Sequence, residues 1–578
     1  LKHPAPQHSR AHRVKVIGSL SPHRASLCDI FDMVRRVLIT GANKGIICAA
    51  LLLAVLDKSC LAEDVCPAGK RCGSDRVHPW PNVRGNVGSY GVSEVKAPRD
   101  LSKPAWRWHH PDGQYGTVVV GGPVIDDELN LYIVEMKGIY KFSPDGKILW
   151  SQKPEPYYEV TFPDGPSIMG DSVFVTTSAG ELCAFDIADG HLKWRKKYYP
   201  ESGSDSKYVT SHDGVVIIGT DNAYQDGGGS LHVVAVDAKS GEKIWDFAPD
   251  TPTWNNMAMF DGHDTFVLQD WDSKVYRLGL HNGTLLWKSG GMSKGPLLHQ
   301  SPYSETWTDG GTILGADGVV YAVSSKKGQN GAGESFAGGG VHAHRLSDGK
   351  FLWERDVPHP VLTWPVSAKL SGDSEYTVFA FPSAGVFGPT DPQIVQYAIF
   401  QSVLPLCLCL LAVALVGLFG GAKKRFLLPG LIVLCPAFLL WYNWGVVHYR
   451  FYTGTPSEIR AFNADTGDLK WSYELDFVTR KTARGDAEGD SVRKATPWRG
   501  RCVPVAYSSP SVDGNGVVWI GHVSGKFFGV KDWNSDGKIS KEEVSVFDAE
   551  AAFLHSGPAF APGIFAFTTC DSLWVWRM

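Results

Sequence analysis

The segment VAVDAKSGEKIW (residues 234–245) contains, in order, an apolar strand, a turn with one glycine, and a tryptophan four residues after that glycine. The same pattern occurs five more times along the chain. The other copies end at Trp150, Trp194, Trp287, Trp353 and Trp471. The spacing from Trp150 to Trp194, and on to Trp245, is close to the ~40–45 residues of a four-stranded propeller blade. The repeat therefore predicts a β-propeller in which each copy completes one blade.

Each copy of the repeat is preceded by its own pair of short apolar strands, which marks the start of a blade. Eight such starts occur, at residues 122–134, 165–176, 211–220, 259–269, 314–324, 367–381, 509–522 and 557–569. Too few residues follow the eighth for an outer strand, and PAWRWHH (104–110) can supply it, with Trp106 at the repeat position. This pairing closes the ring and removes an exposed sheet edge. We therefore expect an all-β fold, an eight-bladed β-propeller closed by an N-terminal strand.

Two copies of the repeat, AVDAKSGEKIW (235–245) and AFNADTGDLKW (461–471), match a longer pattern than the others. They resemble the pyrroloquinoline-quinone (PQQ) repeat, whose signature is A-x-D-x-x-T-G-x-x-x-W. The resemblance covers roughly residues 104–390 and 455–578, and it implies that the tryptophans dock between adjacent blades. The family includes quinoprotein alcohol dehydrogenases, non-catalytic assembly scaffolds and luminal stress-sensor domains. The resemblance therefore indicates a fold and leaves the function open.

Residues 1–62 have the character of a leader. The uncharged run GIICAALLLAVL (45–56) follows two arginines and is long enough for a signal-peptide core. We expect cleavage near residue 62, with an uncleaved anchor as the alternative, and a linker over residues 63–103. Blades one to five and the first part of blade six then occupy residues 104–390, and the rest of the propeller occupies residues 455–578.

The segment 391–454 interrupts blade six and contains two long apolar runs, 403–422 and 426–447, separated by a Lys-Lys-Arg turn. Each run is long enough to cross ~30 Å of hydrocarbon, and a basic turn is typical of the cytoplasmic side. These features predict a two-helix transmembrane hairpin that contacts the bilayer through residues 398–447. They also predict an integral membrane protein with its propeller on the lumenal or extracellular side.

Blade seven contains a different signal, DWNSDGKISKEE (532–543), which fits the EF-hand calcium loop position by position. The expected metal ligands are Asp532, Asn534, Asp536, the carbonyl of Lys538, Ser540 and Glu543. Gly537 allows the sharp turn, and Glu543 can bind the ion through both oxygens. The alternative is a degenerate repeat turn. The preceding segment is predicted to be a strand, and the following segment, EEVSVFDAEAAF, to be helical.

Charge and cysteine content exclude several classes of function. A net charge of -4 gives no reason to expect a nucleic-acid partner. The 11 cysteines include no C-x-x-C pair, and Cys66 with Cys72 is the favoured local disulfide. Quinoprotein dehydrogenases of the resembled family have an adjacent Cys-Cys pair, which this chain lacks, so PQQ is not expected and no catalytic residue is assigned. We expect a calcium-binding scaffold or receptor with a protein partner on the propeller face; the alternative is a quinoprotein-type oxidoreductase.

Overall fold

The structure is a computed structural model of the 578-residue chain. It describes residues 76–85, 91–113, 116–157, 159–199, 208–222, 229–255, 257–290, 306–308, 311–315, 317–326, 338–370, 373–383, 409–418, 421, 429, 431, 433–435, 457–476 and 506–578. All of them lie within one compact unit, Arg71–Met578. The leader and the Cys66–Cys72 pair lie outside the described residues.

The described chain forms eight antiparallel sheets, which are the blades of a propeller. The first strand of the chain is β1 (Trp106–His109). Blade one contains β2 (Val119–Ile125), β3 (Leu131–Glu135), β4 (Gly138–Phe142) and β5 (Ile148–Gln152). Blade two contains β6 (Ser167–Met169), β7 (Ser172–Thr176), β8 (Glu181–Asp186) and β9 (Leu192–Lys197). Blade three contains β10 (Thr210–His212), β11 (Val215–Asn222), β12 (Ser230–Asp237) and β13 (Lys243–Phe247).

The next three blades follow the same order. Blade four contains β14 (Met259–Phe260), β15 (Thr265–Gln269), β16 (Lys274–Gly279) and β17 (Leu285–Gly290). Blade five contains β18 (Thr306–Trp307), β19 (Thr312–Leu314), β20 (Val319–Lys326), β21 (Gly338–Arg345) and β22 (Phe351–Val357). Blade six contains β23 (Val366–Lys369), β24 (Tyr376–Ala380), β25 (Glu458–Asn463) and β26 (Leu469–Glu474).

The last two blades complete the ring. Blade seven contains β27 (Ser511–Val512), β28 (Val518–Gly521), β29 (Lys526–Val530) and β30 (Val544–Asp548), with a short 3-10 helix at Lys541–Glu543. Blade eight contains β31 (Ala559–Ala561), β32 (Ile564–Thr568) and β33 (Ser572–Arg577). Strand β1 pairs with β33, with Trp106 opposite Val575. The predicted closure by an N-terminal strand is therefore confirmed, and so are the eight blades.

The first strand of each blade faces the centre of the ring, and the last strand faces solvent. Neighbouring first strands contact one another, as β6 does with β10, β23 with β27, and β31 with β2. Their side chains are almost all buried, whereas the last strands β9 and β17 alternate between exposed and half-buried positions. The hydrophobic core therefore lies in the inner and middle strands, and side chains beside the first strands lie near the ring axis.

The repeat tryptophan docks between adjacent blades, as the resemblance implied. The indole N–H of Trp353 in blade five donates to the carbonyl of Ala464 in blade six at 2.8 Å. The turn glycine of the receiving blade, Gly467, has a φ of +74°, and a Cβ there would lie 2.8 Å from the Trp353 ring. Glycine is required here both for the left-handed backbone and for the close approach of the ring.

The same contact recurs at six of the eight junctions between blades, all within the part of the chain that the structure describes. Five further tryptophans donate to the carbonyls of Pro144, Ile187, Ala238, Leu280 and Leu346 at 2.7–3.2 Å. The donors are Trp106, Trp150, Trp194, Trp245 and Trp287. One side-chain type thus connects consecutive blades from blade eight, through blade one, to blade six.

The predicted transmembrane hairpin is wrong. Among the residues that the structure describes, no helix is both long and apolar enough to span a bilayer. The predictions of an integral membrane protein and of bilayer contact through residues 398–447 fail with it. The insertion itself lies where expected, because β24 and β25 pair across it.

The segment after the loop of blade seven was also predicted incorrectly. Residues 544–548 form β30, the outer strand of the blade, rather than a helix. They pair along their whole length with β29, from Val544 opposite Val530 to Asp548 opposite Lys526. Cross-strand pairing outweighs the helical preference of this Glu- and Ala-rich stretch, as tertiary contacts often do.

Two described cysteines differ in state. Cys570, in the turn between β32 and β33, is disulfide-bonded. Cys183, in β8, is a buried free thiol, and burial raises its pKa to about 12. A thiol with so high a pKa is protonated at neutral pH and has little nucleophilic character. Cys183 therefore acts as a small core residue.

Candidate functional site

The predicted calcium loop connects β29 to β30, where the other blades have their repeat turn. Its middle residues, 533–538, are exposed to solvent, and Glu543 at its end is only 7% exposed. The loop contains two left-handed residues, Ser535 with φ +59° and Gly537 with φ +77°. Two such residues so close together reverse the chain sharply, which allows the side chains at the start of the loop to face its later backbone.

The first three predicted ligands accept hydrogen bonds from the loop itself. Oδ2 of Asp532 accepts from the backbone N–H of Gly537 at 2.9 Å, and Oδ1 accepts from that of Asp536 at 3.2 Å. Oδ1 of Asn534 also accepts from Asp536 N–H, at 2.9 Å, and Oδ1 of Asp536 accepts from Lys538 N–H at 2.8 Å. These side chains are therefore held against the backbone of the loop by hydrogen bonds, although the loop itself is exposed to solvent.

Glu543 connects the end of the loop to its beginning. Its Oε1 accepts from the backbone N–H of Trp533 at 2.8 Å, and its Oε2 accepts from the N–H and the hydroxyl of Ser540 at 2.9 and 3.0 Å. The N–H of Ser540, followed by that of Trp533, keeps the pKa of Glu543 below its usual value despite burial. The carboxylate is therefore ionised at neutral pH and faces residues 532–534, as a final bidentate ligand must.

The carboxylate oxygens of the loop are not close enough together to bind one ion in this structure. Asp532, Asp536 and Glu543 do not bring one oxygen each within 4.8 Å of the others, whereas two exposed groups elsewhere in the described chain bring three ligand atoms that close. Those groups are Asp186 with Asp189 and His191, and Asp213 with Asp264 and His281. The first lies in the repeat turn of blade two. Binding of an ion by the loop would thus exchange backbone hydrogen bonds for metal–oxygen contacts.

An N-terminal segment, residues 76–85 and 91–105, contacts the loop and much of the ring; we call it the crossing segment. Nη2 of Arg99 donates to the carbonyl of Glu542 at 2.8 Å, and its guanidinium lies 4.6 Å from the ring centroid of Trp533. Nearby, the backbone of Val92 forms a parallel bridge with Val512 in β27. Blade seven is therefore attached to residues that precede the propeller in sequence.

The crossing segment also passes through the centre of the ring. Oδ1 of Asn82 accepts from the hydroxyl of Ser167 in blade two at 2.7 Å and from the N–H of Ser211 in blade three at 3.2 Å. Two residues later, Nη2 of Arg84 donates to the carbonyl of Pro365 at the start of blade six, at 2.9 Å. Blades two and six are opposite each other in an eight-bladed ring, so the segment bridges the axis.

Side chains from four parts of the chain meet at this bridge, and we call Arg84, Tyr208, Trp364 and His555 the axial cluster. The Arg84 guanidinium lies 5.1 Å from the Trp364 ring. The ring centroids of Tyr208, Trp364 and His555 lie 5.7–6.2 Å from one another. All four residues are buried. No pattern in the sequence predicted this cluster, because its members share no periodicity and only the tertiary fold brings them together.

Comparisons with known proteins agree with this architecture. The family model described as outer membrane protein assembly factor BamB matches residues 100–259 and 206–378. The quinohemoprotein alcohol dehydrogenase of Comamonas testosteroni aligns over 86% of this chain and 80% of its own, with a TM-score of 0.52 and 12% identity. A europium-containing methanol dehydrogenase aligns over 87% of this chain and 98% of its own, also with a TM-score of 0.52 and 12% identity.

BamB of Moraxella catarrhalis aligns over 82% of this chain and 99% of its own, with a TM-score of 0.47 and 13% identity. No curated protein sequence matches the chain. Identities this low concern the fold alone, and the docked tryptophans and the family model both concern the repeat. The chain is therefore an eight-bladed β-propeller, and over residues 100–378 its repeats are similar to the PQQ type.

Proposed function

We propose that this propeller is a non-catalytic scaffold that binds a protein partner and holds one calcium ion in blade seven. The scaffold proposal rests on exposed apolar side chains that recur on the outer strands of the propeller. The outer strand of each blade from one to seven exposes apolar side chains, between 40 and 51% exposed. They are Ile148, Leu149, Leu192, Ile244, Leu285, Leu286, Phe351, Leu352, Leu469 and Val546. Exposed apolar side chains at matched positions on a rigid scaffold favour protein contacts over solvent.

The matching family model also supports the proposal of a scaffold. That family is described as an outer membrane protein assembly factor. A propeller suits that task because its strands are fixed by neighbouring blades and its outer surface repeats around the ring. We therefore expect the partner to contact two or more adjacent outer strands.

The alternative is a quinoprotein oxidoreductase with PQQ at the axis, because two structural neighbours are dehydrogenases of that general fold. The axial cluster disfavours this reading. The rings of Tyr208, Trp364 and His555 already contact one another, so a planar three-ring quinone has no space between them. The sequence also lacks an adjacent pair of cysteines. Absorbance of the purified protein distinguishes the two: we expect no quinone band, and a stoichiometric band would contradict the scaffold.

The calcium proposal rests on the loop. Its ligands would be Asp532, Asn534, Asp536, the carbonyl of Lys538, Ser540 and Glu543. They provide the hard oxygen donors that calcium prefers, at EF-hand spacing. The inward side chains and the returning Glu543 support the same assignment. Because the loop follows a strand and is not paired with a second EF-hand, we expect a weak site, with a Kd of about 10⁻⁴ M or above.

Isothermal titration of calcium into the full chain tests the loop. We expect one saturable site in the wild type and none in Glu543→Gln, which keeps the size of the side chain and removes its charge. Asp189→Asn is the matched control, since it removes a carboxylate from an exposed acidic group outside the loop. Binding that survives Glu543→Gln, or disappears in Asp189→Asn, would assign the ion to another place.

Quantitative co-purification from native cells tests the scaffold. We expect one partner to be recovered with the wild type and lost when Leu285 and Leu286 are both changed to Lys, since this places charge on the apolar outer strand of blade four. Asp264→Lys adds a comparable charge in the same blade, at a side chain that is 88% exposed, and should retain the partner. Equal recovery with all three proteins would rule out the outer strands as the binding surface.

A further inference from the structure

Arg84 is a fully buried arginine with most of its hydrogen-bonding capacity unused. Its exposed fraction is 0%. One N–H of Nη2 donates to the Pro365 carbonyl, while Nε and Nη1 have no hydrogen-bond partner among the residues that the structure describes. A guanidinium has five N–H donors, and buried donors are normally satisfied. An arginine in this condition indicates that the site is designed for a group beyond the chain itself.

The charge of Arg84 is also uncompensated. Among the described residues no carboxylate forms an ion pair with it, and burial alone lowers its pKa to about 9. At neutral pH the side chain is still cationic. An unpaired cation removed from water is strongly destabilising, so proteins retain one where an opposite charge arrives to pair with it. A water molecule would satisfy a donor but would leave the charge unbalanced.

The residues around Arg84 add a second unpartnered group. Nδ1 of His555 is buried and has no hydrogen-bond partner in the described part of the chain. Burial lowers the pKa of His555 to about 4, so the imidazole is neutral at pH 7 and can donate one N–H. Trp364 lies between the two, 5.1 Å from the guanidinium and 5.7 Å, centroid to centroid, from the imidazole. The axial cluster therefore combines a cation, free donors and an apolar wall.

We propose that the axial cluster binds a small oxyanion, a carboxylate or a phosphate, on the free donors of Arg84. Planar oxyanions match the donor fork of a guanidinium, and the pairing is strongest where water is excluded. The ligand is small because the contacting rings leave no gap for an aromatic group. The bound anion would neutralise the charge that the crossing segment carries into the axis. The site is separate from the calcium loop and from the outer strands.

Thermal unfolding of the full chain in buffers of equal ionic strength tests this site. Sodium chloride is the reference, and sodium phosphate and sodium acetate are the two probes. We expect a rise in Tm of about 1–3 °C with at least one probe at millimolar concentration, since a ligand that binds only the folded state stabilises it. Ion chromatography of the denatured protein covers the case of an anion that co-purifies, which we expect at about one per chain.

Three variants assign the response to Arg84. Arg84→Met removes the charge and should abolish both the shift in Tm and any co-purified anion. Arg84→Lys keeps the charge but lacks the forked donors of a guanidinium, so it should weaken the shift in Tm and reduce the co-purified anion. If Arg84→Met does not fold, the response of Arg84→Lys tests the proposal instead. Arg76→Met is the control, because Arg76 is in the same segment but is already paired with Asp127 and Asp171. A wild type without anion or shift, or a response unchanged in Arg84→Met, overturns the proposal.

Discussion

Two neighbouring junctions, between blades five and six and between blades six and seven, are held together by different contacts. At the first, the Trp353 indole donates to the Ala464 carbonyl and packs on Gly467. At the second, Trp471 is buried, but among the described residues no blade-seven carbonyl accepts its N–H. The nearest atom to a Cβ added at the turn glycine there, Gly537, is the Lys470 carbonyl at 3.4 Å. In blade seven, the predicted calcium loop takes the place of the turn on which a tryptophan docks in blades one to six.

Other contacts hold the second junction. Nε2 of His522 in blade seven lies 3.1 Å from Oγ of Ser457, directly before β25 of blade six. The hydroxyl of Tyr507 donates to the Glu458 carbonyl at 3.0 Å. Both junctions contain apolar packing, and an indole N–H adds a hydrogen bond at the first, whereas buried polar groups, including a titratable one, add hydrogen bonds at the second. Where the docking turn is absent, hydrogen bonds of buried polar side chains therefore connect the two blades in its place.

The largest expected effect comes from removing a docked tryptophan. Trp353→Ala leaves a cavity between two blades and should lower the free energy of unfolding by about 3–5 kcal/mol. Urea titration of both variants measures this against Leu352→Ala, whose side chain is 42% exposed and should cost no more than about 0.5 kcal/mol. Similar losses in the two variants would show that docking does not connect the blades.

The second effect is a dependence of stability on pH that comes from His522 at the junction between blades six and seven. Burial lowers the pKa of His522 to about 3. Below pH 6.5 the unfolded chain therefore takes up a proton that the folded chain refuses, and stability falls as the pH falls. Between pH 6.5 and pH 5 this amounts to about 2 kcal/mol from His522 alone.

Urea titrations across this range should give a flatter profile for His522→Gln than for the wild type. His344 and His555 are also buried, with pKa values lowered to about 4, so a part of the slope remains in the variant. The exposed His263→Gln serves as the control and should follow the wild type. A profile of His522→Gln that is as steep as that of the wild type would remove the imidazole from the explanation.

The smallest effect compares two glycines in the same repeat position. Gly467 and Gly537 have φ values of +74° and +77°, so alanine strains both backbones alike. Only at Gly467 does the new Cβ meet a tryptophan ring, at 2.8 Å. We expect Gly467→Ala to cost about 1–2 kcal/mol more than Gly537→Ala in calcium-free buffer. Thermal unfolding measures the difference, and equal costs would mean that the ring moves away freely.

The residues that repeat were predictable from the sequence, and those that do not repeat were not. The Gly-x-x-x-Trp spacing located six blades, and Trp106 identified the closing strand. Hydrophobicity alone led to the wrong prediction of a transmembrane hairpin. A run of apolar residues does not show whether a helix long enough to span a bilayer forms. Arg84 and Asn82 carry no local pattern, and their partners are from 85 to 281 residues away in sequence. Their contacts exist only in the closed ring.

The pairing of β1 with β33 has a consequence for how the protein is made. Trp106 and Val575 are partners across that pair. At roughly 5–20 residues per second, synthesis brings the second strand out of the ribosome about 25–90 s after the first. During that time β1 has no partner from its own blade and offers an open edge to other chains. Closure of the ring therefore comes after the strands of the other seven blades have been made, and chaperone supply in that interval should influence the yield of soluble protein more than the stability of any single blade.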